Sequence, residues 1–333
     1  MSKLPFVPKE FRILTIVSIM VGYIYWGFEP FAHHEMHPHV AEPSYAFDGK
    51  AEAEAMKEHG QDAAEIEAFW GRAAAIGALA GNAEAGKELV VANCTGCHAI
   101  ASEGFEQSLS NEDLAASYGV VPPDLSIAGK IYNHNFLAGF IIDPVKAMHI
   151  EHKYPVGGAK VFPMPGSDWM GDQEIADMIA YLSDAASRVK APEVKEGASE
   201  FEVSKAANRK VFEAACGRCH SMGYAGIEAL TPADVMSAYI GATPPDLSQY
   251  IRSRGDEFLH NFINDPQRKL HGTGMPRVGL TLEAENQVVE YMEQIGDSKK
   301  AEREELGPKV LIYLVILALF AILWKKQIWR DLH

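Results

Sequence analysis

Two apolar runs bracket the chain. Residues 13–28 follow Lys3, Lys9 and Arg12, and residues 310–324 precede Lys325, Lys326 and Arg330. Both runs are a little shorter than the ~17–25 residues of a membrane-spanning helix. Flanking aromatics and snorkelling Lys or Arg side chains make up the difference. The basic residues sit at the two outer ends, so the positive-inside rule places both termini in the cytoplasm. The first run is read as a retained helix, because Glu29-Pro30-Phe31-Ala32 is a poor signal-peptidase site. After it comes the cluster His33, His34, His37 and His39 around Met36 and Pro38, read as a membrane-surface segment rather than a metal site. Residues 51–85, rich in Ala and Glu, predict one or two helices acting as a spacer or as a docking element.

The pattern then repeats. Leu89-Val90 and Val211-Phe212 each precede a five-residue stretch, Cys94-Thr95-Gly96-Cys97-His98 and Cys216-Gly217-Arg218-Cys219-His220. Pro122-Pro123-Asp124-Leu125-Ser126 recurs as Pro244-Pro245-Asp246-Leu247-Ser248, and Lys130 as Arg252. Phe136, Leu137, Phe140, Ile141, Asp143 and Pro144 recur as Phe258, Leu259, Phe262, Ile263, Asp265 and Pro266. All these pairs share an offset of 122; Met164-Pro165 and Met275-Pro276 are offset by 111, so the first repeat carries eleven extra residues. Tyr181-Leu182 and Tyr291-Met292 close the repeats on helices. A constant offset across separate motifs predicts two homologous domains. Residues 189–203, with Pro192, Gly197 and many charges, read as the linker.

The 333-residue chain has a formal charge of −15. Removing the seven Lys/Arg and two Asp/Glu outside 13–308 takes this to −20 for the part between the anchors. Such a balance argues against a nucleic-acid partner. It would either steer a basic partner or serve solubility.

The two C-x-x-C-H stretches use all four cysteines. This is the attachment signature of a c-type haem: each thiol adds to a vinyl group and the adjoining histidine supplies an axial bond. A zinc ribbon would need its Cys pairs far closer than 122 residues apart. A thioredoxin-type pair needs no following His, and structural disulfides remain the last alternative. Two covalently attached haem c groups are therefore expected on Cys94, Cys97, Cys216 and Cys219, with His98 and His220 on the irons. Covalent attachment is completed outside the cytoplasm, which places the segment between the anchors in a bacterial periplasm, held to the inner membrane.

A C-x-x-C-H helix, a Pro-x-Leu loop, a Met-Pro loop and a closing aromatic helix together resemble the class I cytochrome c domain, over 86–188 and 204–296. The resemblance implies an all-α fold: two such domains in tandem, flanked by an N-terminal anchor (1–28), a His-containing segment and spacer (29–85) and a C-terminal anchor (297–333). It implies Met164 and Met275 as sulfur ligands, with Met148, His149, His152 and Met170 as rivals in the first domain. It implies the Pro123 and Pro245 carbonyls as acceptors for the Nδ1–H of His98 and His220. Lys130 and Arg252 are either propionate partners or solvated charges.

Over nearly the full length, Trp26-Gly27-Phe28-Glu29-Pro30-Phe31, Tyr250-Ile251-Arg252-Ser253-Arg254-Gly255, Met275-Pro276-Arg277-Val278-Gly279-Leu280 and Asp297-Ser298-Lys299-Lys300 resemble the epsilon-proteobacterial diheme cytochrome c1 family. That resemblance implies an electron-transfer subunit of a dimeric quinol:cytochrome c reductase (bc1) complex, with no substrate chemistry of its own. Its partners would be a cytochrome b subunit, a Rieske iron–sulfur protein and a downstream cytochrome c or terminal oxidase. The alternatives are a diheme subunit of a cbb3-type oxidase and a free-standing membrane carrier. Tether length adds one expectation: the short connection to the second anchor holds the second domain near the membrane, and 29–85 lets the first sit farther out.

Overall fold

The computed structural model describes residues 8–36, 43–56 and 62–330. Lys3, His37, Pro38, His39 and residues 331–333 lie outside the described residues, as do the side chains of His33, His34 and Met36. Among the described residues the regular elements are helical, with isolated β-bridges and no strand.

Residues 1–42 form one unit. It holds α1 (Lys9–Tyr23), a π-helical turn (Ile24–Phe28) and α2 (Glu29–Met36) in continuous succession. The apolar stretch Lys9–Ala32 is 24 residues, about 36 Å of helix against a hydrocarbon core of about 30 Å.

Residues 43–333 form the second unit, and its helices occur in two matching series. The first comprises α3 (Gly49–Met56), α4 (Ala63–Gly77), α5 (Ala83–Asn93), α6 (Asn111–Tyr118), α7 (Ala128–Ile131), α8 (His134–Ile142), α9 (Pro144–Ala147) and α10 (Asp172–Arg188). The second comprises α11 (Glu200–Ala215), α12 (Ala233–Ile240), α13 (Tyr250–Arg254), α14 (Asp256–Asn264), α15 (Pro266–Lys269) and α16 (Leu282–Gly296). Helices α5 to α9 recur as α11 to α15, and α10 as α16. Even the small bridges recur at 122: Ile100 with Phe105, and Met222 with Ile227. The last described helix is α17 (Lys300–Arg330), which buries no residue and is also apolar enough to cross a membrane. Pro308 lies inside it, between a charged first turn and the apolar run. A proline there has no N–H to give the Glu304 carbonyl, so the helix loses one internal hydrogen bond at that point.

In each series the helix before C-x-x-C-H packs on the closing helix. Helix α5 lies so close to α10 that a Cβ on Gly86 would stand 1.9 Å from the Asp177 carbonyl oxygen, so only glycine fits. In the second series Phe212 of α11 meets Tyr291 of α16 with ring centroids 5.3 Å apart. The linker is shorter than expected: Ser199 and Glu202 cap each other's backbone N–H, and α11 begins at Glu200.

The segment expected to be a spacer is part of the core instead. Helix α4 carries Ile66, Phe69, Trp70, Ala73 and Ile76 on one face. That i, i+3, i+4 spacing makes an apolar stripe, and Trp70, Ala73 and Ile76 are buried in the first core against α8. The tether expectation loses its premise here, because residues 43–56 and 62–77 pack on the domain instead of spacing it.

The same segment reaches the second series. Arg277, directly after Met275-Pro276, is fully buried and makes a two-pronged ion pair with Glu52 of α3, at 2.6 and 3.0 Å. Its Nε donates to the Asn264 carbonyl at 3.0 Å, and its guanidinium lies 4.5 Å from the Phe47 ring centroid and 5.7 Å from that of Trp70. Tyr45 donates to Glu285, and Asn264 donates to the Ser44 carbonyl. First-series Ile127 and Ile131 pack in the second core with Leu280. Gly279, at φ 70°, lets the backbone pass against the Phe136 ring while its carbonyl accepts from Asn133 N–H. Among the described residues, the non-glycine positions with positive φ, Phe47 (46°) and His149 (56°), both lie at this seam.

Asp265 faces His149 Nδ1 across the seam at 3.2 Å. Burial alone would raise its carboxyl, but His149, Arg277 and Arg268 more than offset this and hold it at about 2. The folded value lies below the ordinary one, so Asp265 stabilises the fold above about pH 4. That contribution, about 2 kcal/mol, is lost as pH falls toward 2. Chemical unfolding of the detergent-solubilised chain should show this loss, reduced in Asp265→Asn; an unchanged acid limb would refute it. Glu52→Gln strands the buried Arg277 charge and should cost about 3–5 kcal/mol. Glu52→Gln with Arg277→Met should cost less than Glu52→Gln alone, and simple additivity would contradict the pairing.

Candidate functional site

Both attachment stretches sit on the turn that ends a helix. Cys94 and Cys216 occupy the C-cap positions of α5 and α11. In the first turn, Cys97 N–H donates to Cys94 O at 3.1 Å and His98 N–H to the same oxygen at 2.9 Å. In the second, Cys219 and His220 donate to Cys216 O at 3.1 and 2.9 Å. One helical turn thus separates the two thiols of each pair, and the histidine follows on the same turn.

The four thiols are free of disulfides. Burial pushes Cys94 up to about 11 and Cys216 up to about 12, and Cys97 and Cys219 respectively reinforce this by charge. Burial also raises Cys219. Cys94, Cys216 and Cys219 are therefore held as protonated thiols at neutral pH.

The histidines are anchored alike. His98 Nδ1 lies 2.9 Å from Pro123 O, and His220 Nδ1 lies 2.8 Å from Pro245 O, each 25 residues along the chain. A carbonyl oxygen only accepts, so Nδ1 carries the proton and Nε2 keeps its lone pair. Burial lowers the proton affinity of both rings, and the proline carbonyls oppose this in part. The product is a neutral imidazole with fixed orientation and an available nitrogen, the form a metal ligand requires.

The proline loops are clamped from below. Leu125 N–H donates to Ala99 O at 2.8 Å, and Leu247 N–H to Ser221 O at 3.0 Å. Asp246 Oδ2 accepts from Ser221 Oγ and Gly223 N–H at 2.9 and 2.7 Å, while Oδ1 accepts from Ser248 N–H. Burial would raise Asp246, but these donors hold it down at about 2. Asp124 accepts from Ser126 N–H at 2.6 Å and from Ala101 N–H at a long 3.4 Å.

Met164 and Met275 are half-buried on the loops that lead into α10 and α16. The other candidates of the first domain have these neighbours. Met148 and Met170 lie in the first core, and Met148 O accepts from Arg277 N–H. His149 faces Asp265, and His152 Nε2 lies 3.1 Å from Thr273 O. Lys130 is exposed on α7. Arg252 is exposed on α13, its Nε 4.0 Å from Asp297. Among the described residues no three His, Cys, Asp or Glu side chains converge to cage a bare metal ion. The paired thiols beside a neutral histidine fit a haem ring bonded through its edge, for which each histidine supplies a single bond.

Several side chains at the sites carried no sequence signal. Tyr132, half-buried against both cores, has its hydroxyl pushed up by burial, which the Arg218 charge opposes. Glu285 is buried with Tyr45 and His260 on the same carboxylate oxygen. Arg218 could be found in sequence only as a difference, since the first motif has Gly96 at its place.

The unequal clamps give a direct test. Asp246→Ala should destabilise the chain by about 1–2 kcal/mol, and more than Asp124→Ala, measured by denaturant unfolding. Equal or reversed effects would mean that the second loop is not held as described.

Residues 83–186 match the family model for cytochrome c. A chain solved as part of a "Hyperthermophilic respiratory Complex III" is similar at 23% identity, over 43% of this chain and 80% of that one, with a TM-score of 0.31. No curated protein matches. The segment 83–186 is a cytochrome c domain, which implies covalently bound haem c and an electron-carrying role, in a chain with two helices long and apolar enough to cross a membrane.

Proposed function

We propose that the chain is a diheme, membrane-anchored electron carrier, the cytochrome c1 subunit of a quinol:cytochrome c reductase. It takes single electrons from a Rieske iron–sulfur protein and passes them to a periplasmic cytochrome c or an oxidase. The observation that carries the second haem is the duplicated ligand geometry. His220 meets Pro245 O at 2.8 Å as His98 meets Pro123 O at 2.9 Å, each behind a pair of free thiols. Matching helices on either side support a second cytochrome c domain at 204–296 beside the one at 86–188.

In this reading Cys94 and Cys97 hold one haem and Cys216 and Cys219 the other, each through two thioethers. When bound, each haem supplies a one-electron couple. His98 and His220 present Nε2 to the irons, and the Pro123 and Pro245 carbonyls fix their rings. Met164 and Met275 would be the second ligands, and a soft thioether would favour the reduced iron and raise the potential. Lys130 and Arg252 are available to propionates. The two apolar helices hold the domains to the membrane, both termini cytoplasmic by the placement of Lys and Arg. The acidic segment between them steers a basic acceptor, an effect that salt weakens.

Intact mass should equal the apoprotein plus two haems. Cys94→Ala/Cys97→Ala and Cys216→Ala/Cys219→Ala should each lose one haem mass; a single haem in the unsubstituted chain would sink the diheme reading. The oxidised protein should show the weak sulfur-to-iron band at the red end, and Met164→Ala and Met275→Ala should each remove part of it. Purification in mild detergent should bring down b-type haem and a Rieske signal; recovery with a haem–copper oxidase would favour an oxidase subunit instead.

A further inference from the structure

The proline loop that orients His98 is held from the second repeat. Val121, just before Pro122-Pro123, donates its N–H to Thr231 Oγ1 at 3.1 Å. Thr231 N–H donates in turn to Arg218 O at 3.1 Å, and Leu230 N–H to Gly217 O at 3.0 Å. Both carbonyls belong to the turn between Cys216 and Cys219. Hydrogen bonds therefore run from the second attachment turn to the loop whose Pro123 carbonyl meets His98 Nδ1 at 2.9 Å. Val121 and Thr231 are each 1% exposed, so the buried N–H depends on this hydroxyl and not on water. Around the bond, Leu114, Ala115 and Val121 form a small cluster that Val235 of α12 packs against.

The duplication does not reproduce this link. Leu109 matches Thr231 at the offset of 122, but it is exposed and has no hydroxyl to accept with. Thr243, which matches Val121, is exposed. The first loop is also stiff where the link enters it. Pro122 and Pro123 have fixed φ angles, so a shift of Val121 passes to the Pro123 carbonyl with little slack. Beyond the prolines, Leu125 N–H pins the loop to Ala99 O at 2.8 Å within the first repeat. On the near side, Gln107 Nε2 reaches Pro122 O only at 3.3 Å. Thr231 is thus the short tie on the side that precedes the prolines.

We propose that Thr231 is a positioning residue for the iron-binding histidine of the other repeat: it ties the Pro122-Pro123 loop to the second attachment turn and so fixes the His98 ring. The Nδ1–H bond to Pro123 O sets the ring orientation and raises the basicity of Nε2. A more basic ligand favours the oxidised iron. Loosening the loop therefore weakens that bond, turns the ring and raises the potential of the first haem. The second site has no matching tie, so the dependence runs from the second turn to the first histidine. The inference rests on the two-haem reading above.

The test uses the full chain in detergent, unsubstituted and as Thr231→Val, Thr231→Ala, Thr231→Ser and Ser199→Ala. Valine keeps the shape and removes the acceptor, and alanine is measured beside it in case valine is not accommodated. Serine keeps the hydroxyl. Ser199→Ala removes the cap of α11 and controls for a general loss of stability in the second repeat. Three quantities are read: hydrogen exchange at the Val121 amide, the paramagnetic resonance line of each oxidised haem, which follows axial ring orientation, and the potentiometric wave of each haem. The first haem's signals are those missing from Cys94→Ala/Cys97→Ala. In Thr231→Val and Thr231→Ala, exchange at Val121 should quicken by about tenfold, as for a lost buried hydrogen bond. The first haem's line should shift or broaden and its wave move to higher potential, with the second haem's signals unchanged. Thr231→Ser and Ser199→Ala should keep the unsubstituted line and wave. Two haems by mass with an unmoved first line and wave in Thr231→Val and Thr231→Ala would overturn the proposal and leave the diheme reading standing. An equal change in Ser199→Ala, or a change confined to the second haem, would also overturn it. A single haem by mass in the unsubstituted chain would overturn the diheme reading, and the proposal with it.

Discussion

A guanidinium shut away from water must have its charge and its donors answered by the protein. Arg277 is such a group, and the arrangement of residues 43–296 follows from how it is answered. Its counter-charge, Glu52, comes from before the first repeat, its carbonyl acceptor, Asn264, from the second, and its aromatic neighbours, Phe47 and Trp70, from the first core. Three separate stretches of chain are therefore required at one point. An ion pair of this kind adds little net stability over an apolar filling. It does make any arrangement that separates the repeats carry an unpaired buried charge.

This explains why the two repeats do not behave as beads on a string. Each has its own crossing of motif helix and closing helix, and each could bury most of its own core. Yet Ile127 and Ile131 are spent on the second core, and Gly279 is fitted against Phe136 of the first. Asp265 is held ionised by groups on both sides of the seam. Each C-x-x-C-H turn is thus carried in one mechanical body, with the loops around it tied to the neighbouring repeat. Met275 illustrates the point, since the residue two places on is Arg277 itself.

The ligand turns and the duplication were legible in the sequence because they are local or periodic. Cys94, Cys97 and His98 are close neighbours, and the offset of 122 can be counted without knowing the fold. The proline carbonyls were reached only through resemblance, yet the distances at His98 and His220 are those of a hydrogen bond. What composition hid was the fate of residues 43–77. Ala and Glu suggest a solvated helix, while the decisive side chains, Phe47, Trp70 and Ile76, are few and widely spaced. Their role depends on partners more than 60 residues away, Phe136 and Arg277 among them. Propensity ranks helices but says nothing about which face finds a core.

The eleven extra residues of the first repeat follow from the same geometry. Two matching series of helices that pack without exact symmetry present different surfaces to each other, and the extra residues of the first series lie against the second. His152 reaches Thr273, and Lys160 lies over the rings of Tyr154 and Tyr239 while donating to the Tyr239 carbonyl. His149, which keeps the offset of 122 to His271, reaches Asp265 from just before the extra residues. His149 and His152, which sequence alone offered as rival iron ligands, thus face the second repeat. Met164, on the loop just beyond, is left half-buried. The insertion that made the first ligand ambiguous in the sequence is, in the fold, the strut between the two repeats.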